Sequence, residues 1–144
     1  LVDCPPSLNM LTVNALTAAE GVIIPMQCEY YALEGVSGLI KTIQDIQGSL
    51  NPALKIEGVV RTMYDPRNSL TNEVSSQLNH YFGNALYATV IPRNVRLAEA
   101  PSFGEPIIKY DPESRGAASY RELAQEMLSR HQQAPTQQQA QEKQ

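Results

Sequence analysis

The feature that most constrains this chain is a repeated pattern: a short apolar run stops at a proline or an acid, and a stretch with helical spacing follows. Val22-Ile23-Ile24-Pro25 is the clearest case, continuously apolar and only a few residues long. Such a run suits a parallel strand covered on both faces. Ile56 to Met63 repeats it and leaves through Tyr64-Asp65-Pro66-Arg67-Asn68, and Tyr87 to Ile91 leaves through Pro92-Arg93-Asn94. Leu1 and Val2 read as the last pair of an earlier strand that ends at Asp3. Pro5 and Pro6 lack an N–H and push Cys4 and Pro5 out of helical geometry.

The intervening segments have the other period. Leu11 to Ala19 reads as a short helix ended by Gly21. Glu29 to Gln47 is the longest helical segment, with Leu33, Val36, Ile40, Ile43 and either Ile46 or Gln47 at steps of three and four. Leu70, Val74, Leu78 and Phe82 define a third helix. Val95 to Pro101 is expected to form a short one, and Ser102 to Pro112 a long surface connection. Arg115 to Arg130 reads as a terminal helix with Ala117, Tyr120, Leu123, Ala124 and Met127 on one face. Strands alternating with helices predict an α/β fold, a mostly parallel sheet flanked by helices. The chain divides into a domain over residues 1–131 and a Gln-rich tail over 132–144, whose composition leaves nothing apolar to offset the entropy of ordering it.

Composition sets limits on function. At 144 residues and 42% hydrophobic content, the chain suits one domain with its own core. No apolar run approaches the ~20 residues of a membrane helix, and no signal-peptide pattern opens the chain. Cys4 and Cys28 lack metal-ligand spacing and read as reduced thiols. His80 and His131 are expected in solvent, and no His or Asp arrangement makes Ser7 a nucleophile. The net charge of −4 gives no overall basic footprint, yet the stretch from Arg61 to Arg96 holds four arginines against two acids. A patch of that kind can bind DNA weakly and in a salt-dependent way.

The informative residues gather where the strands end, at Asp3, Pro25, Met63 and Pro92. Open α/β sheets bind ligands in the crevice outside these carboxyl ends. Asp3 could cap the following loop, or serve a magnesium ion directly or through water, since Mg²⁺ takes one or two carboxylates and keeps several waters. Met63, Pro92 and Asn94 could pack against a base and offer it an amide with both donor and acceptor. Glu29-Tyr30-Tyr31 should lie near the crevice or an interface.

The blocks LVDCPPSLNMLTVNAL, VIIPMQCEYYALEG, IEGVVRTMYD, TVIPRNVRLAEAPSFGEPI and YDPESRGAASYRELAQE resemble, in order and spacing, the C-terminal half of ParA/Soj-type chromosome and plasmid partitioning ATPases. The resemblance implies the C-terminal part of a P-loop-type fold, with ATP and Mg as cofactors. It makes Asp3 the Walker B acid, catalytic and holding Mg through water, with Pro5 and Pro6 in the segment that senses the γ-phosphate. It makes Met63, Pro92 and Asn94 an adenine pocket. It gives Arg67 and Arg96 to non-specific DNA, bound once two ATP-loaded subunits pair as a homodimer. It further implies a ParB-like partner that stimulates hydrolysis, a cytoplasmic and nucleoid-associated location, and no membrane partner.

The family's phosphate-binding loop, of the form KGGxGKT, is not in this stretch: none of the eight glycines opens a Gly-Lys-Thr or Gly-Lys-Ser step, and the first lysine is Lys41. The chain, which starts at Leu1 without a Met, is therefore read as the C-terminal part of a larger protein, with no hydrolysis expected from this part alone. An unpaired apolar strand edge is expected to make it poorly soluble. Two other readings stand beside this one: a nucleotide-independent DNA- or protein-binding module, and a related ATPase that positions a different cargo.

Overall fold

The computed structural model describes residues 1–5 and 9–141, with side chains up to residue 132 apart from that of residue 33. Pro6 and Ser7, and the readings made of them, lie outside the described residues. Helix α1 spans Met10–Ala18, β1 Gly21–Gln27, α2 Ala32–Ser49, β2 Lys55–Tyr64, α3 Ser69–Phe82 and β3 Leu86–Pro92. Two short helices follow, α4 over Val95–Glu99 and α5 over Ile107–Tyr110, and α6 runs over Arg115–Gln141. The three strands form one parallel sheet in the order β1-β2-β3, so the α/β layout read from the sequence is the one observed.

Alternation along the strands sends neighbouring residues to opposite faces of the sheet. Ile24, Met26, Val59 and Leu86 face one side and pack with Val36, Ile43 and Ile46 of α2, Val74 and Leu78 of α3, and Leu16 of α1. Ile23, Val60, Tyr87 and Ile91 face the other side, where Leu97 and the α6 residues Leu123 and Met127 cover them. Burying an aliphatic side chain of this size stabilises by about 1.5–3 kcal/mol, so the first face carries most of the hydrophobic term. At the end of α2, Ile46 is buried while the Gln47 amide donates to Leu54 O at 2.8 Å, which settles which of the two belongs to the core stripe.

The two ladders differ in regularity. β1 pairs with β2 from Gly21↔Lys55 to Gln27↔Thr62 with a single slip after Val22. β2 meets β3 at Val59↔Leu86, Arg61↔Val90 and Tyr64↔Pro92, so β3 carries two extra residues in the first interval and β2 one in the second. The extra residue of β2 falls at Thr62–Met63, where Met63 has φ 52°. A side chain other than glycine seldom adopts that geometry, and it marks the bulge that turns the strand end towards the crevice. Gly58 allows the close approach of the bulged strand, because a Cβ there would collide with the ring of buried Tyr87.

Several expectations are corrected. Leu1 and Val2 form no strand and are exposed, since no neighbouring strand among the described residues pairs with them. Helix α2 begins at Ala32 rather than Glu29, because Glu29 to Tyr31 form a turn in which Ala32 N–H donates to Glu29 O at 2.9 Å. The stretch from Ser102 to Pro112 is no open connection. It holds a 3-10 turn over Ala100–Phe103 and then α5, and buried Ile107 packs with Ala100 and Ala117. On α6, Tyr120 and Ala124 turn out to solvent while Leu123 and Met127 face the sheet. Helix α6 runs on past residue 131, and its apolar contacts with the sheet among the described side chains end at Met127.

The N-terminal helix is held from both ends. The Asn9 side-chain oxygen accepts from Leu11 N–H and Thr12 N–H at 3.0 and 3.1 Å. At the other end, the Asn51 amide, from the turn between α2 and β2, donates to Leu16 O and Ala19 O at 3.0 and 2.8 Å. These bonds satisfy orphan groups that a helix of nine residues leaves at its termini.

Candidate functional site

The carboxyl ends of the three strands converge on one cavity of about 280 Å³. β1 leads into Gln27, Cys28 and Glu29, β2 into Met63 and Asp65, and β3 into Arg93, with Asn68 and Thr71 at the start of α3 closing the wall. Beside it lies a larger and more open groove of about 740 Å³, lined by Pro25, Glu29, Tyr30, Tyr31, Gly35 and Leu70 among others. Tyr30 and Tyr31 meet edge to face with centroids 5.0 Å apart and stay exposed, as crevice residues rather than core.

Met63 is half exposed at the bulge, and the Arg93 N–H donates to Tyr64 O at 3.1 Å, fastening the end of β3 to that of β2. Pro92, paired with Tyr64, and Asn94 therefore stand next to Met63's strand end. The Asn94 oxygen already accepts from Arg96 N–H and Leu97 N–H at 2.9 and 3.4 Å as the N-cap of α4. Its acceptor is thus taken up by the helix, and its amide hydrogens remain the group a ligand can use. Of the three, Met63 lines the cavity, while Pro92 and Asn94 line neither it nor the groove.

The metal end of a nucleotide is less built. Asp3 is exposed and lines neither cavity. No cluster of three His, Cys, Asp or Glu able to hold a metal occurs among the described residues. One free carboxylate with waters and phosphate oxygens is a set that Mg²⁺ accepts, so Asp3 fits a water-mediated contact and no more than that. Pro5 is likewise exposed, beside it in the chain.

Both candidate DNA arginines are at the surface, and both are engaged within the chain. Arg67 donates from Nε to Asp65 Oδ1 at 2.9 Å and from Nη2 to Oδ2 at 2.8 Å, while its backbone N–H donates to Oδ1 at 3.1 Å. The guanidinium hydrogen bonds, then the backbone one, hold the Asp65 carboxyl down at about 2, and the charge of Arg93 adds to the effect. Arg96 reaches Glu99 at 2.9 Å and Asp111 at 3.3 Å, and Tyr110 also donates to Glu99 at 3.2 Å. The structure brings Met63 to the cavity wall with Arg93, and leaves Asp3, Arg67 and Arg96 on separate exposed segments.

Sequence reasoning passed over Asp65 and Arg93, which line the cavity. It also passed over Arg61, whose guanidinium donates to Ser75 Oγ, Tyr87 O and Ala88 O at 2.8 to 2.9 Å. The available signal was a charged residue directly after the buried pair Val59-Val60. Cys28, buried at the cavity's rim, is a free thiol pushed up by burial, with the Arg61 charge opposing.

Residues 1–56 match a family model described as an AAA domain. A chromosome partitioning protein ParA from Caulobacter vibrioides is 56% identical over 130 residues, 90% of this chain and 49% of the relative. The sporulation initiation inhibitor protein Soj of Bacillus subtilis is 58% identical over 129 residues, 90% of this chain and 51% of the relative. This chain is a homologue of the ParA/Soj partitioning proteins. The match spans about half the length of the curated ParA/Soj relatives. A solved structure titled cobyrinic acid a,c-diamide synthase from Mycobacterium smegmatis, with bound ADP and magnesium, is 38% identical with a TM-score of 0.70, over 92% of this chain and 46% of that one. The partitioning relatives and this nucleotide-binding structure support the P-loop-type α/β fold as the shared frame. No helix among the described residues is long and apolar enough to cross a membrane.

Proposed function

We propose that this chain supplies the base-binding and DNA-contacting part of a ParA/Soj-type partitioning ATPase, which binds ATP with Mg²⁺ and pairs as a homodimer. In this reading the pair binds DNA without sequence preference in the cytoplasm, at the nucleoid, and releases it after hydrolysis stimulated by a ParB-like partner. The observation that carries the reading is the convergence of the three strand ends on one cavity, with Met63 on its wall and Pro92 and Asn94 beside it. Parallel α/β sheets place ligands there. Asp3 would contact Mg²⁺ through water and Pro5 would follow the γ-phosphate, both working against a phosphate-holding loop from outside residues 1–144. Arg67 and Arg96 contact phosphate oxygens, for which a guanidinium needs no base recognition.

Binding of a fluorescent ATP analogue, with and without Mg²⁺, tests the base pocket. Met63→Asp, which puts a carboxylate against the base, should weaken it at least about tenfold, equivalent to about 1.4 kcal/mol. Binding that ignores both Met63→Asp and Asn94→Ala would favour the nucleotide-independent module instead. For the DNA surface, Arg67→Ala and Arg96→Ala should each weaken retention of a mixed-sequence duplex and lower its salt slope by about one.

A further inference from the structure

Asp65 stands between the two parts of the site. Asp65 is a lining residue of the strand-end cavity together with Met63 and Arg93. Its carboxylate grips the guanidinium of Arg67 through two parallel hydrogen bonds at 2.9 and 2.8 Å and takes the Arg67 backbone N–H as well. Arg67's side chain is 87% exposed and Asp65's is 25% exposed, so the fork is held at the surface by a partner set back in the cavity wall. The turn that does this is Asp65-Pro66-Arg67-Asn68, which Asn68 N–H closes by donating to Asp65 O at 3.1 Å. A guanidinium so engaged presents to an incoming phosphate a fork already filled by a carboxylate of the same geometry.

We infer that Asp65 is a built-in competitor for the phosphate ligand of Arg67, so that DNA is taken up by exchanging this carboxylate for a phosphate oxygen. The inference rests on the assignment of Arg67 to DNA made above. It assigns Asp65 a restraining role set by its place in the cavity: whatever repositions the Asp65 side chain there frees the Arg67 fork. Arg96 offers an internal contrast. Two carboxylates, Glu99 and Asp111, share it. Removing either one leaves the other, so single neutralisations there release less than Asp65→Asn does.

The test is binding of a fluorescein-labelled mixed-sequence duplex, with ATP and Mg²⁺ present, to a protein that carries this chain together with a phosphate-holding loop, followed by anisotropy across a salt series. Variants are Asp65→Asn, Arg67→Ala, their combination, and Glu99→Gln for contrast, with Asp65→Ser as a second neutral variant and a thermal melt on each to establish folding. The expected result for Asp65→Asn and Asp65→Ser is about two- to fivefold tighter binding at low salt, the range set by what exposed ion pairs are worth. That gain should vanish when Arg67→Ala is added, and Glu99→Gln should gain less. Folded neutral variants that bind no tighter, or that bind more weakly, overturn the competitor role while Arg67→Ala still weakens binding. If Arg67→Ala itself changes nothing, the assignment of Arg67 to DNA fails and the competitor role falls with it.

Discussion

The two faces of the sheet are held by different means. On the face under α2 and α3, apolar side chains from three helices close over the strands, and Ile43, Val59 and Leu78 are fully buried. On the face under α6 the apolar cluster is small, and charged side chains take over. Glu126 accepts from Ala88 N–H and Thr89 N–H at 2.9 Å each and from the Thr89 hydroxyl at 2.7 Å, while Arg130 donates to Asn84 O, Leu86 O and Glu126. Arg130 also lies over the Tyr87 ring at 4.1 Å. The difference follows from β3. Its two extra residues interrupt the ladder with β2, and backbone groups left without strand partners need others. Arg61 supplies donors from one side of the bulge, and Glu126 supplies acceptors from the other. A regular ladder can be packed over with aliphatic residues, whereas a bulged one must be answered group by group.

The contrast can be broken most strongly on the apolar face. Leu78→Ala should lower stability by about 2–5 kcal/mol in urea unfolding, through lost transfer energy and a residual cavity. On the clamped face, Glu126→Gln should cost about 1 kcal/mol, because Gln offers one acceptor oxygen where the carboxylate offers two and leaves an exposed or half-buried strand N–H wanting. This variant also separates the faces by pH. Burial alone would raise the Glu126 carboxyl, but the N–H groups of Thr89 and Ala88, the Thr89 hydroxyl and Arg130 together bring it down to about 2, from an ordinary 4.5. A depressed folded value contributes stability that is complete above about 4.5 and is lost as pH falls towards about 2. Wild type should therefore lose stability in that window relative to Glu126→Gln, while Leu78→Ala should show the wild-type pH slope. Asp65 titrates in the same range and is common to all three proteins.

A similar effect, about 1 kcal/mol, is expected for Arg130→Lys, which keeps the charge and loses the fork that serves two carbonyls at once. The smallest concerns the end of α6. With no apolar contact to the sheet past Met127 among the described side chains, a chain stopped after Gln132 should unfold within about 0.5 kcal/mol of the intact one. Fast amide exchange throughout residues 133–141 would support the tail as disordered in solution, and protection there would contradict it.

The apolar face was legible in the sequence because its signals are periodic. Short aliphatic runs gave β1, β2 and β3, and the spacing of Val36, Ile43, Val74 and Leu78 gave the helices that cover them. The clamped face was not, because a bulge leaves no pattern: nothing in Leu86-Tyr87-Ala88-Thr89 announces two extra residues, and Arg61, Glu126 and Arg130 read as ordinary charges until the strand between them is seen. The same limit applied to the segment from Ser102 to Pro112, where prolines suggested an open loop and Ile107 instead found a small core with Ala100 and Ala117. Proline and polarity marked Met63, Pro92 and Asn94 as lying where the chain leaves the sheet, and they do stand at the ends of β2 and β3. What spacing could not convey is that Asn94's oxygen is committed to a helix cap, or that Arg67 is paired two residues away.

The reach of Asn51 across the α1 terminus ties together two parts of the chain that are far apart in sequence. Nine residues are too few for α1 to persist alone in water. The carbonyls of Leu16 and Ala19 at its end are met by an amide 32 to 35 residues further along, in the turn that precedes β2. Those carbonyls are therefore satisfied only when the α2–β2 turn is in place. In native-state hydrogen exchange the amides of α1 should open in the same cooperative unit as the start of β2, and Asn51→Ala should uncouple them.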